Sequence, residues 1–86
     1  TMNYLPLTFL GLGVAKKMLG DQRLAAHFLG VAARYEDKPH LFDIVEFRDF
    51  DNTLQSERAM LPDAECITAW EVGRQMSLEE AVKFLY

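Results

Sequence analysis

Few residues in this chain could do chemistry. Cys66 is the only cysteine, and His27 and His40 are the only histidines. A cysteine nucleophile acts as its thiolate and needs a cationic neighbour to form one at neutral pH. Cys66 follows Glu65 and is offered no such neighbour. The two histidines lack the spacing of a metal pair, and no serine or cysteine stands in an activating pattern near either. His27 falls beside an apolar stripe and is expected to be a packing or surface residue. A lone cysteine also excludes an internal disulfide and a thiolate metal cluster, so a reducing, cytoplasmic setting is expected.

The acids Asp43, Glu46, Asp49, Asp51 and Glu57 raise the question of a hard cation, and Asp49-x-Asp51-Asn52 opens like a calcium loop. The central glycine and the closing glutamate of such a loop are missing from their places. A solvated helix face is the expected role, with a docking surface for a basic partner as the next choice. Gly11-Leu12-Gly13 begins like a dinucleotide fingerprint. Lys16 stands where the third glycine belongs, no strand precedes it, and no Gly-Lys-Ser/Thr follows. Gly11, Gly13 and Gly30 are instead expected to let helix backbones approach closely. No catalytic residue, cofactor or metal is assigned, and the chain is not expected to be an enzyme.

The elements that hold these residues fit one small domain. The chain has 86 residues, half of them hydrophobic, with a net charge of −4. That charge is uneven: residues 1–34 carry +3 and the remainder −7. Phosphate neutralisation supplies most nucleic-acid affinity, so this balance argues against direct binding to DNA or RNA. The apolar run from Leu5 to Ala15 is well short of the ~20 residues of a membrane span. Lys16 and Lys17 follow that run, whereas an export signal has its charges in front. Thr1 is not a natural start, which suggests a piece of a longer protein.

Apolar periodicity and breakers predict about five helices and no strand, an all-α fold. The first spans Asn3 to Leu19, with Pro6 tolerated in its opening turn. Gly20-Asp21 breaks it. The second, Asp21 to about Glu36, places Leu24, Phe28, Val31 and Tyr35 on an amphipathic stripe. Asp37-Lys38-Pro39 turns the chain. A third, Phe42 to Leu61, carries Ile44, Phe47, Phe50, Leu54 and Leu61 on one face. Pro62-Asp63 opens a fourth, running to about Val72, with Ile67 and Trp70 three residues apart and Gly73 as a left-handed stop. Ser77 starts the fifth with a capping box to Glu80, a staple from Met76 to Ala81, and a buried stripe of Leu78, Ala81, Val82 and Leu85.

The helix–glycine–helix over 63–86 invites comparison with a DNA-reading helix-turn-helix. Ala69 and Gly73 suit it, but the position that should be a buried aliphatic is Glu79. The second helix opens Ser-Leu-Glu-Glu, setting carboxylates where phosphates would lie. A DNA-binding regulator domain built on this segment is therefore the alternative reading.

Two resemblances emerge. Leu12-Gly13 with Ala15, Leu19-Gly20-Asp21, Ala25 and Ala32 resemble one tetratricopeptide repeat, in which small residues seat one helix on another. Leu29 replaces its usual later aromatic. Ala69-Trp70-x-x-Gly73-Arg74-x-Met76-Ser77-Leu78-Glu79-Glu80-Ala81-Val82 resembles the closing motif of large bacterial signal-transduction ATPases, including LuxR-type (MalT-like) transcriptional regulators. Phe28-Leu29-Gly30-Val31-Ala32-Ala33-Arg34-Tyr35 resembles an earlier phrase of the same family. The middle, His40 to Pro62, is more aromatic and acidic than that family's norm.

The resemblance implies a tetratricopeptide-like helix-hairpin array, with a helix pair over 1–36 and a three-helix part over 40–86. It implies a non-catalytic interaction and regulatory module, without the ATPase or DNA-binding parts of the parent. Trp70, Gly73, Ser77 and Glu80 are given structural roles as core anchor, helix stop and cap. The first helix, apolar nearly all round, is the expected interaction edge through Tyr4, Leu5, Phe9 and Leu12. Its expected partner is a second copy in a homo-oligomer, or an upstream repeat of the parent. No membrane partner is expected.

Overall fold

The computed structural model describes residues 4–85, apart from the side chains of Tyr4, Leu78 and Leu85. Five α-helices follow one another: α1 (Tyr4–Met18), α2 (Gln22–Ala33), α3 (Ile44–Ala59), α4 (Ala64–Gln75) and α5 (Leu78–Leu85). A single 3-10 turn, Pro39–Leu41, lies between α2 and α3. Among the described residues there is no strand, and no helix is long and apolar enough to cross a membrane.

Local chemistry sets most of the boundaries. The first-turn N–H groups of a helix have no intrahelical acceptor, so Pro6 costs α1 no hydrogen bond. At the other end Gly20 takes φ +89°. Its N–H donates to the Lys17 carbonyl at 3.0 Å, and the Asp21 N–H donates to the Lys16 carbonyl at 3.0 Å. These paired bonds form a Schellman closure, which needs a left-handed residue that glycine supplies without strain. Asp21 then caps α2, accepting from the Leu24 N–H at 3.2 Å. Asp43 caps α3 with a full capping box to Glu46, and Asp63 caps α4 through the Cys66 N–H at 2.9 Å. Each of these carboxylates also sits at the positive end of a helix dipole.

The core is organised around α2. Every residue from Ala25 to Ala33 is buried, so α2 is a central helix rather than the amphipathic one its Leu24–Tyr35 stripe suggests. It packs closely on α1 on one side and on α4 on the other. Its alanines and Gly30 make this possible, because short side chains let two helices approach it at once.

Gly30 and Gly73 mark the tightest point. A methyl group on Gly30 would collide with the carbonyl of Trp70, and one on Gly73 would collide with the carbonyl of His27. The two backbones therefore touch where these glycines meet the facing helix. Gly13 is similar but softer, since a methyl there would meet the Leu29 side chain at 2.5 Å. Gly11 differs from the expectation: nothing lies within 4 Å of the place its side chain would take.

Gly73 also corrects the sequence reading. It is no helix stop: α4 continues through it to Gln75, and among the described residues Gly20 is the one glycine with positive φ. A glycine near a helix end can mark a stop or a close crossing, and here the crossing with α2 decides.

Helix α3 lies further out. Phe50 and Leu54 enter the core, and the rings of Phe42, Phe47 and Phe50 cluster in tilted and edge-on contacts, with the Phe42–Phe50 centroids 4.8 Å apart. Ile44 is 88% exposed, so it does not belong to the buried stripe; as the first helical residue it projects away from the bundle. Polar contacts anchor α3. Lys17 pairs with Glu57 at 2.9 Å, and the Arg58 guanidinium lies 5.9 Å from the Trp70 ring centre. Close backbone packing is confined to α1–α2 and α2–α4, so α3 and α4 do not form a second tight hairpin. The core runs across the boundary between 1–36 and 40–86 as one continuous cluster.

Candidate functional site

The expected interaction residues of α1 turn out to face inward. Phe9 is fully buried, and Leu5 and Leu12 pack against the core; the Tyr4 side chain lies outside the described residues. Full burial of such a side chain contributes ~1.5–3 kcal/mol, so Phe9 is not available to a partner without loss of the fold. The free side of α1 is formed by other residues. Leu7, Gly11, Ala15 and Met18 are all exposed, at steps of four, four and three that bring them onto one helical face. Met18 and Leu19 are 82% and 78% exposed. No charged residue interrupts that stripe.

The motif residues near the C-terminus have structural partners. Trp70 is 4% exposed, set between the α2 backbone at Gly30 and the Arg58 guanidinium. Ser77 and Glu80 form the reciprocal cap that the sequence predicts. The Glu80 N–H donates to Ser77 Oγ at 3.1 Å, and the Ser77 N–H donates to Glu80 Oε1 at 3.0 Å. These bonds hold the Glu80 carboxyl below the usual carboxylate range. The linker between α4 and α5 is only Met76-Ser77, and Glu79 and Glu80 are exposed. A helix-turn-helix turn of three to four residues often contains a glycine. Gly73 here lies inside the first helix instead.

A groove of about 660 Å³ opens between α2 and α4, with α5 at one end. Leu24, His27, Ala69, Val72 and Phe84 give it an apolar lining, and Asp21, Arg23 and Glu65 edge it. His27 is its most distinctive group, at 8% exposure. Its ring stacks on Phe84 with centroids 4.2 Å apart and planes 23° from parallel. Nε2 lies 3.1 Å from the Met76 sulfur. Burial pushes the His27 pKa below its ordinary value. His27 is therefore a packing residue, and nothing in the residue pattern signalled that it would meet α5.

Cys66 and four of the five acids singled out in the sequence already have partners. Cys66 is buried, and its thiol is pushed up by burial, then by a hydrogen bond to Asp63 and the charges of Asp63 and Glu65. A raised thiol pKa leaves little thiolate, which disfavours nucleophilic chemistry. The acids of α3 are dispersed: Asp43 and Glu46 form the cap, Asp51 accepts from Gln55 at 3.3 Å, and Glu57 pairs with Lys17. Among the described residues no three histidine, cysteine or acidic side chains converge as a metal site. No protein-family model, curated protein or solved structure matches the chain.

Proposed function

We propose that this chain is a non-catalytic interaction module, a helical scaffold of a larger bacterial signal-transduction or transcriptional regulator that works by packing helix against helix. The observation that carries this reading is the outer side of α1, where Leu7, Gly11, Ala15 and Met18 make an exposed, uncharged stripe. Apolar area of this kind gains free energy when another helix covers it. Gly11 and Ala15, one turn apart, leave room for the partner's backbone. The occupant is a second copy of the chain, meeting α1 with its own α1, since one self-complementary stripe serves both sides of a two-fold dimer. The tetratricopeptide-like character rests on the α1–α2 hairpin and its small residues. Its setting is the cytoplasm.

Light scattering across a concentration series tests this. A mass that rises toward the dimer, and stays monomeric in Ala15→Glu with unchanged circular dichroism, supports it. A wild-type chain that remains monomeric at high concentration overturns self-association. Salt-sensitive duplex binding in a gel shift would favour the DNA-binding alternative over 63–86.

A further inference from the structure

Helix α5, like α3, lies outside the close backbone packing of α1, α2 and α4. The other helix pairs named above share long lines of backbone contact, but α5 has no such close partner. Among its described side chains, Ala81 is fully buried and Phe84 reaches across to α2. Phe84 lies flat on His27 and edge-on to Phe28, with centroids 5.7 Å apart. Met76, at the α4–α5 link, contacts the same imidazole through its sulfur. One titratable ring on the central helix thus holds both the linker and the body of α5.

We propose that His27 is a pH-sensitive latch: its neutral ring holds α5 against α2 and α4, and its protonation releases α5 and opens the groove beside it.

The charge state matters because the stacked ring is almost wholly shielded from water. A neutral imidazole loses little there, whereas an imidazolium loses its hydration shell. Stacking over the Phe84 face returns part of that loss, but burial is the dominant influence and lowers the ring's pKa. The charged groups around the ring are mixed. Asp21 and Arg23 on the α2 side and Glu65 on α4 edge the groove, and Glu79, Glu80 and Lys83 on α5 are exposed. None of them supplies a compensating partner for an imidazolium.

The sign follows. With α5 released, the His27 ring gains water and its pKa moves back toward its ordinary value; with α5 docked, burial holds it lower. Docking is complete above the solvated value and weakens as pH falls through it toward the docked value. One proton shifts the docking equilibrium by at most about tenfold per pH unit. Glu80 titrates below its own ordinary 4.5, so loss of the Ser77–Glu80 cap lies in a separate, more acidic window.

Amide hydrogen exchange by NMR from about pH 7.5 to about pH 5, expressed as protection factors, tests the latch over histidine's working range. The α5 amides should lose protection as pH falls below histidine's ordinary value, by at most about tenfold per pH unit, and the loss should level off once the His27 ring of the docked chain is protonated. Protection in α2 should stay constant. His27→Phe keeps a flat ring that cannot take a proton, and should make α5 protection independent of pH. His40→Gln should change nothing. If α5 protection stays constant, falls together with α2, or still falls in His27→Phe, the latch is overturned. Should His27→Phe fail to fold, the wild-type order decides alone: α5 protection that falls only at pH below the His27 ring titration, and not above it, overturns the proposal.

Discussion

The α2–α4 crossing and the α5 docking site lie next to each other and are built on opposite plans. At the crossing, two glycines remove side chains so that backbone meets backbone, and Trp70 fills the space beside them. At α5, the contact is carried by side chains: a stacked His27–Phe84 pair, a methionine sulfur, and one buried alanine. Close backbone packing has no low-cost alternative arrangement, because any shift opens a void or a clash. A contact made by a few rings at the surface can open alone. The crossing fixes the fold, and α5 is the element free to respond.

Substitutions in the two regions test this contrast. The largest effect belongs to the crossing: Trp70→Ala should cost ~3–5 kcal/mol, seen as a fall in the urea midpoint for the whole domain. Unchanged thermal stability would show that Trp70 is no core anchor. Gly73→Ala comes next. In an open helix interior alanine would stabilise by ~0.8–1 kcal/mol, but here its methyl meets the His27 carbonyl. A net loss of ~1–3 kcal/mol is expected, and a gain would show that α2 and α4 do not touch there.

At α5 the effects should be smaller and local. Ser77→Ala removes the acceptor for the Glu80 N–H and should cost ~0.5–2 kcal/mol. Amide exchange should show that loss in α5 and not in α2; equal loss in both would erase the distinction between the regions. The smallest effect has the opposite sign. Gly11 is exposed and unopposed, so Gly11→Ala should raise stability by up to ~1 kcal/mol, measured at a dilution where the chain is monomeric. A loss there would mean that Gly11 faces something within the monomer.

Short-range features were legible in the residues. The Gly20 break, the Pro39 turn, the Asp63 start and the Ser77–Glu80 box each depend on groups within a few positions of one another. Their chemistry is complete without the rest of the molecule. Long-range roles were not legible in the same way. Gly73 reads as a helix stop, His27 as surface or core, and Ile44 as the start of a stripe. Each choice depends on a helix far along the chain. The α1 site shows the same limit: the sequence marks an apolar helix but not its outward side, and Phe9 and Leu12 turned inward while Leu7 and Met18 stayed out.

From the residues alone it follows that this protein is all-helical and where α2, α4 and α5 begin. Hydrogen bonds and backbone preferences between near neighbours suffice for that. Packing alone made α2 the centre, Gly73 a contact point rather than a stop, and a histidine on α2 the ring that meets the C-terminal helix. Those facts depend on which surfaces are removed from water together, and packing settles that over the whole chain at once.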